Sequence, residues 1–207
     1  PLYSSAASDV YKRQLDTMLN GSIALCDAGT GIGKTYAYLV AGVVFRRYRS
    51  RAGLPNQPLL ISTSSIALQG AIIHDYLPFL SKVMMADGML DSPLRAVLRK
   101  GKSHYVCDAR LMKRLQTANL DRKNPLAKAA LLSMRDHLDL DMAPHLSGYD
   151  RERICVPPTC DCGKTECRYL CYLDVCASER YAIQVCNHNL LLADAIHQGS
   201  GKRPILP

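Results

Sequence analysis

The sequence lacks any apolar run long enough to cross a membrane, and it lacks the basic start and long apolar centre of a signal peptide. We therefore expect a cytoplasmic protein without a membrane partner. Because no secretory signal is visible, the nine cysteines argue against a disulfide scaffold and favour ligation of a metal or cluster. Acidic side chains are outnumbered by basic ones, and the net charge of +8 suggests a polyanionic partner.

A glycine-rich stretch carries the clearest chemical signal. It reads A-G-T-G-I-G-K-T and consists of Ala28, Gly29, Thr30, Gly31, Ile32, Gly33, Lys34 and Thr35. An apolar run precedes it and a helix-compatible segment follows, which is the context that a phosphate-binding loop requires. Backbone N–H groups would converge on phosphate oxygens, Lys34 would contact the terminal phosphates, and the Thr35 hydroxyl would hold Mg²⁺. The stretch predicts a nucleotide site, and the alternative is a glycine-rich turn that arose by chance.

Apolar patterning predicts an α/β fold with parallel strands. Short buried strands are predicted at residues 22–27, 58–63 and 182–186, and helices at residues 34–49 and 64–80. The first two strands, joined through a helix, imply a βαβ crossover. Residues 1–14 match no element and are interpreted as a non-native leader. Residues 111–141 are helical by pattern and are assigned to an insertion.

Two groups of basic residues allow more than one interpretation. Arg46, Arg47, Arg49 and Arg51 cluster at the end of the helix after the glycine-rich loop, where they would offset the helix dipole on a solvated face. The second group comprises Arg95, Arg99, Lys100, Lys102, Arg110, Lys113 and Arg114. It fits either a face that follows a phosphate backbone or an ordinary solvated helix.

Seven cysteines fall within one short, turn-rich stretch, at Cys155, Cys160, Cys162, Cys167, Cys171, Cys176 and Cys186. Thiolates are soft ligands suited to iron-sulfur clusters or zinc, and several of them can organise a segment that has little core of its own. Spacing alone does not decide between the metals, because Cys160, Cys162 and Cys167 could complete a zinc site with Cys155. The last three cysteines are predicted to be small buried apolar side chains.

Four motifs in this order resemble the DinG/XPD-type superfamily-2 iron-sulfur DNA helicases. They are A-x-T-G-x-G-K-T at residues 28–35, S-T-x-x-x-x-L-Q at 62–69, K-G-K-x-x-Y-x-C at 100–107, and V-x-N-H-x-L-L-x-A-D at 185–194. The resemblance implies part of a RecA-like P-loop domain with a parallel sheet, interrupted by an iron-sulfur domain with a helical insertion. It assigns residues 15–99 to motor domain 1, residues 100–180 to the iron-sulfur domain, and residues 181–207 to the return into motor domain 1.

The resemblance also implies cofactors and partners. ATP and Mg²⁺ would occupy residues 28–35, with Lys34 and Thr35 in catalytic roles. A [4Fe-4S] cluster would be held by Cys107, Cys160, Cys162 and Cys167, with Cys155 as the substitute ligand. Thr63 and Gln69 would lie near single-stranded DNA at the carboxyl edge of the sheet. A monomer would act on single-stranded DNA and duplex junctions.

The sequence contains no D-E-A-H box and no second motor domain, both of which the resembled family has beyond this region. The acidic pair of that box orients Mg²⁺ and the attacking water, and an arginine of the second domain stabilises the developing charge. We therefore expect an amino-terminal fragment that binds nucleotide weakly and does not unwind DNA. The alternative is a zinc-stabilised nucleotide-binding module without motor activity.

Overall fold

The computed structural model describes residues 2–117, 125–160, 162, 167–178, 180–201 and 204–206. The helices are α1 (Leu2–Asn20), α2 (Lys34–Arg51), α3 (Ile66–Ala71), α4 (Leu77–Ala86), α5 (Asp108–Thr117), α6 (Pro125–Ser133), α7 (Gly148–Ile154), α8 (Arg168–Ala177) and α9 (His188–Gly199). The strands are β1 (Leu59–Ser62), β2 (Ala96–Arg99) and β3 (Ile183–Cys186). The chain divides into two compact units: unit 1 comprises Pro1–Arg99 and Ala177–Pro207, and unit 2 comprises Lys100–Cys176. Within the described residues, no helix has both the length and the apolar character needed to span a membrane.

Unit 1 contains a three-stranded parallel sheet in the order β1, β3, β2. Its register pairs Cys186 with Ser62 on one side and with Arg99 on the other, so the three strands end at the same edge. All four residues of β3 are buried, as expected for a central parallel strand. The predicted α/β class and its parallel strands near residues 58–63 and 182–186 are confirmed.

Helices α2 and α4 supply most of the apolar cover of this sheet. The buried cluster contains Leu39, Val43, Ile72, Leu77, Leu80, Met84, Ile183 and Val185. The packing is close at Gly42, where a Cβ atom would lie 2.4 Å from Leu59 Cδ2. Between α3 and α4 the chain makes a π-helical stretch at Ile72–Tyr76, so one continuous helical segment follows β1.

The predicted strand at residues 22–27 is wrong. The segment pairs with no other strand in the described part of the chain, and Ile23 and Leu25 are 94% and 93% exposed. An apolar run becomes a strand only where a neighbour satisfies its backbone groups, and no described strand pairs with this run. The expected βαβ crossover through residues 22–27 is therefore not formed. Sequence analysis also missed β2, whose four residues end in an arginine.

The first residues of the chain form a helix that the sequence analysis did not anticipate. Helix α1 runs from Leu2 to Asn20 and packs against α2. The helix ends just before Gly21, whose φ of 59° lies in the left-handed region that favours glycine.

Unit 2 is built around α5, α6 and α7. Its largest buried cluster contains Val106, Leu111, Ala130, Leu131, Met134, Leu140, Ala143, Leu146 and Ile154. The helical pattern predicted for residues 111–141 is present only in part, as the end of α5 and as α6. Residues 134–139 form turns and an isolated bridge instead, and residues 118–124 lie outside the described residues.

Several basic residues near the K-G-K-x-x-Y-x-C motif have partners within the protein. Lys100 Nζ lies 2.5 Å from Asp139 Oδ2 and 2.8 Å from Asp141 Oδ2, and Arg114 Nε lies 2.7 Å from Asp150 Oδ1. Internal hydrogen bonds also hold Arg99, Lys102 and Arg110. These side chains stabilise their own units instead of presenting a continuous basic face.

Candidate nucleotide site and cysteine cluster

The glycine-rich loop has backbone geometry that its glycines alone make accessible. Gly31 has a φ of 78°, and Gly33, the residue before α2, has a φ of 84°. Side-chain-bearing residues rarely adopt this region, so both positions require glycine. The loop leads directly into the first turn of α2, whose backbone N–H groups lack helical acceptors and carry the positive end of the helix dipole. This arrangement can bind an anion.

Two of the polar side chains of the loop, Lys34 and Thr35, have partners within the protein. Lys34 Nζ donates to the carbonyl oxygen of Ala28 at 2.7 Å, across the loop. The Thr35 side chain hydrogen-bonds with Tyr38 one turn later. Burial raises the pKa of Tyr38, and the bond with Thr35 partly opposes that effect. Tyr38 therefore stays a neutral phenol.

The residues expected near DNA lie together at the carboxyl edge of the sheet. The Thr63 backbone N–H donates to Cys186 O at 3.1 Å and extends the pairing of β1 with β3. Gln69 Nε2 donates to Thr63 O at 2.9 Å, and Gln69 is only 7% exposed. The Ser65 N–H donates to Thr63 Oγ1 at 3.2 Å. Gln69 thus fixes the turn, and Thr63 is the more accessible of the two.

Sequence analysis missed two polar contacts at this edge. Ser62 Oγ lies 2.8 Å from His188 Nδ1, which joins the end of β1 to the start of α9. The buried Arg99 donates to Gln184 Oε1 at 2.7 Å and to Ile205 O at 2.8 Å. The Asn187-His188 dipeptide, directly after a predicted strand, was the available signal for the Ser62–His188 contact. Nothing in the local sequence indicated the contacts of Arg99.

Unit 2 places Cys107 at the end of a buried, bridged segment. Val106 forms an antiparallel bridge with Cys155, and the Cys107 N–H donates to Ile154 O at 2.7 Å. Cys107 is buried in a small cluster with Tyr105, Val156 and Tyr169. The motif tyrosine thus has a packing role, since the Tyr105 and Tyr169 ring centroids lie 5.2 Å apart.

An ion pair ties Cys107 to Cys167 through the residue that follows each of them. Arg168 Nε and Nη2 lie 2.7 and 2.5 Å from Asp108 Oδ1. The Arg168 guanidinium also donates to the carbonyl oxygens of Met134 and Arg135, at 3.0 and 2.8 Å. We call Asp108 and Arg168 the clasp. The sequence analysis missed it because 60 positions separate its two members.

The four cysteines of the predicted cluster lie in one neighbourhood. Cys107, Cys160 and Cys167 line a cavity of about 200 Å³, together with Lys102, Pro158 and Tyr169. A hydrogen bond with Cys160 and the charge of that thiol raise the pKa of Cys162 to about 11, and Cys107 and Cys167 add to the effect. Like-charged thiolates explain this direction, since ionising one makes ionising the next more costly.

The thiols share this neighbourhood without forming a closed coordination sphere. Among the described residues, no three Cys, His, Asp or Glu side chains converge as a metal-binding set. The substitute ligand Cys155 lies apart from the cavity lining: its thiol contacts Glu152 O at 3.4 Å, and it packs against the main core of unit 2.

The remaining predictions for the cysteines are mixed. Cys176 and Cys186 are fully buried, as predicted. The prediction for Cys171 is wrong, because this residue is exposed. It lies two positions after the inward-facing Tyr169 of α8, which turns it toward the opposite face of the helix.

Comparison with known proteins links the chain to one group of enzymes. No protein-family model matches the sequence. The chain is 35% identical to the ATP-dependent DNA helicase DinG of Photobacterium profundum over 85 residues, which cover 41% of this chain and 10% of that protein. It is 32% identical to the 3'-5' exonuclease DinG of Bacillus subtilis over 117 residues, covering 56% of this chain and 11% of the relative. The ATP-dependent DNA helicase YoaA of Escherichia coli is 28% identical over 196 residues, covering 90% of this chain and 28% of the relative. The chain therefore spans about a tenth to a quarter of the length of these relatives.

Proposed function

Because the chain belongs to the DinG-type helicase family, we propose that it is part of an ATP-dependent DNA helicase. Residues 28–35 bind the phosphates of ATP, with Lys34 at the terminal phosphates and Thr35 as a ligand of Mg²⁺. Residues 15–99 and 181–207 belong to motor domain 1, which has a RecA-like fold, and residues 100–180 form a cysteine-rich domain with a helical insertion. In the whole enzyme, ATP hydrolysis drives translocation along single-stranded DNA and unwinding at duplex junctions.

The observation that carries this proposal is that Gly31 and Gly33, just before α2, both adopt a left-handed backbone conformation with positive φ. Gly31 and Gly33 open the loop backbone, and α2 extends for 18 residues behind it. A long helix whose first N–H groups face a glycine-rich loop stabilises bound phosphate. Lys34 supplies the positive charge after releasing its bond to Ala28 O.

Nucleotide binding to the 207-residue chain tests the site directly. Titration with Mg·ATP is expected to show one weak site that Lys34→Ala abolishes. Lys82→Ala is the control, because it removes the same charge from an exposed position of α4. Equal binding by the Lys34 and Lys82 variants would contradict the assignment.

We propose that these 207 residues alone do not unwind DNA. The sequence contains no D-E-A-H box, so the acidic pair that orients Mg²⁺ and water is not supplied. Strong DNA-stimulated ATP turnover by the purified 207-residue chain would overturn this statement.

We propose that Cys107, Cys160, Cys162 and Cys167 hold a [4Fe-4S] cluster. The cavity lined by Cys107, Cys160 and Cys167 supports the assignment, and so does the raised pKa of Cys162, which reflects its hydrogen bond with Cys160 and the charges of the nearby thiols; bound iron would offset that repulsion. The cluster would supply a structural cross-link between residues distant in sequence. The same thiolate chemistry suits zinc, in which case the chain would be a zinc-stabilised nucleotide-binding module.

Anaerobic purification with iron, sulfide and zinc assays separates the two metals. We expect a brown protein whose visible absorption is lost in Cys107→Ser and kept in Cys171→Ser, because Cys171 is an exposed thiol outside the cavity lining. A colourless zinc protein that is insensitive to Cys107→Ser would contradict the cluster assignment and leave the nucleotide site standing.

The proposed DNA contacts lie at Thr63, with Gln69 positioning its turn. We propose that a monomer in the cytoplasm binds single-stranded DNA there, consistent with the net charge of +8. Fluorescence anisotropy with a labelled oligonucleotide is expected to show weaker binding by Thr63→Val and Gln69→Ala. Unchanged affinity in both variants would remove this surface from the DNA path.

A further inference from the structure

We propose that unit 1 carries a second anion site at the amino-terminal edge of its sheet, suited to a compact oligophosphate. A cavity of about 430 Å³ lies where the strands begin, close to residues that precede β1, β2 and β3, namely Asn56, Arg95 and Ala182. The carboxyl end of α2 forms another wall. This volume falls in the range typical of small-molecule sites.

The cavity wall is strongly basic. Among the described residues, its arginines are Arg46, Arg47, Arg51, Arg95 and Arg180, and Asp91 is the one carboxylate that accompanies them. Within the described part of the chain, all of these arginines except Arg46 are without an ion pair. The formal charge of about four positive matches the charge of a triphosphate group, and guanidinium groups bind phosphate oxygens in pairs. The carboxyl end of α2 contributes only about half a negative charge against this excess.

Hydrogen bonds within the wall pre-organise it. Arg46 Nη1 donates to Gln57 O at 2.6 Å, and Arg49 Nε and Nη2 donate to Pro55 O at 3.0 and 2.9 Å. These bonds fasten the loop after α2 to the helix, so the cavity keeps its shape before a ligand arrives. The arginine cluster that the sequence assigned to dipole compensation thus has two roles: Arg46 and Arg49 hold the loop, and Arg46 also lines the cavity together with Arg47 and Arg51.

A buried polar atom in the wall also indicates a ligand. Asn56 Oδ1 is buried and has no hydrogen-bond partner within the described residues. Asn56 lines the cavity. Because a buried amide without a partner costs about 1–3 kcal/mol, a ligand hydroxyl that donates to it, or a phosphate that accepts from the amide after a flip, would satisfy it.

This site is separate from the glycine-rich loop. Helix α2 has 18 residues, so its two ends are about 27 Å apart. One triphosphate group cannot reach both Lys34 and Arg51. The inference is therefore independent of the proposed helicase function, and each can fail alone.

Calorimetric titration of the Lys34→Ala chain with inorganic tripolyphosphate tests the site while the loop is disabled. We expect one binding site, with affinity lowered about tenfold or more when Arg95→Ala or Arg180→Ala is added, since each removes charge-assisted hydrogen bonds. Lys82→Ala added instead should change the affinity less than twofold. The tripolyphosphate affinity of the Arg95→Lys variant should lie between those of the Lys82→Ala and Arg95→Ala variants, because lysine keeps the positive charge but lacks the planar guanidinium group.

Two further measurements keep the result interpretable. Circular dichroism melting should show unchanged folding, because Arg95 and Arg180 are exposed. A 20-nucleotide single-stranded DNA distinguishes a free oligophosphate from a nucleic-acid backbone as the source of phosphate. The proposal is overturned if the Lys34→Ala chain fails to bind tripolyphosphate, if Lys82→Ala weakens binding as much as Arg95→Ala, or if only DNA binding responds to Arg95→Ala and Arg180→Ala.

Discussion

Breaking the Asp108–Arg168 clasp should destabilise the cysteine neighbourhood by a measurable coupling energy. The guanidinium contacts Asp108 Oδ1 through two nitrogens, and the two side chains are 29% and 35% exposed. Asp108→Asn keeps the shape but removes the carboxylate charge, so the guanidinium donates to a neutral amide oxygen in place of a carboxylate, a loss of about 1 kcal/mol. Arg168→Met also removes the bonds to Met134 O and Arg135 O, for a total of about 2–3 kcal/mol.

The double-mutant cycle in urea isolates the pair. We expect the free energies of unfolding to give a coupling of about 1 kcal/mol, reduced from a buried value because solvent screens a pair that is one-third exposed. Lys128→Met is the matched control: it removes a charge from an exposed position of α6, and its effect should stay within about 0.5 kcal/mol. A coupling near zero would show that the clasp does not hold Cys107 and Cys167 together.

Three other outcomes follow from particular residues. Gly33→Ala, at a φ of 84°, should cost about 1–2 kcal/mol of stability and abolish Mg·ATP binding in the same titration, whereas Gly199→Ala should not affect binding. Met134→Ala in the core of unit 2 should lower the free energy of unfolding by about 2–5 kcal/mol, against less than about 0.5 kcal/mol for Met142→Ala, whose side chain is 63% exposed. Although burial opposes the shift, hydrogen bonds to Lys100 and Arg151 lower the pKa of Asp141 from 3.8 to about 2. The contribution of ionised Asp141 to the free energy of unfolding is therefore present above pH 3.8 and lost as the pH falls through 2. Urea unfolding measured between pH 5 and 2 should show the protein losing stability, and the Asp141→Asn variant should lose less over the same range.

The parts of the fold that could be predicted are those set by local pattern. β1 and β3 are short and mostly aliphatic, a composition typical of parallel strands; the central β3 is fully buried and β1 is half-buried. Residues 22–27 have the same local character, yet Ile23 and Leu25 are exposed, because strand formation depends on a partner that local sequence cannot supply. β2 was not predicted because it ends in an arginine, a residue that is usually exposed. In the structure, Arg99 is buried because it donates a hydrogen bond to Gln184, 85 positions away.

The polar contacts of unit 2 could not be predicted because their partners are distant in sequence. Lys100 meets Asp139, and Arg114 meets Asp150, at separations of 39 and 36 positions. Because their acidic partners lie far away in the sequence, the basic residues were interpreted as a solvent-exposed group. The grouping of Cys107 with Cys160 and Cys167 came from the family resemblance, since cysteine spacing alone allowed a site completed by Cys155.

The proposed metal ligands differ in how the protein holds them. Cys107 is fixed by a backbone bond to Ile154 O, and Cys167 is held by the clasp, so packing of the apolar core positions both. Cys160 and Cys162 are exposed, and neither of these two residues lies in a helix or strand. Fixing the backbone of one residue costs about 1–2 kcal/mol, a cost that thiolate ligation can offset. On the proposed assignment, the core would hold two ligands in place, and ligation itself would fix the positions of the other two thiols.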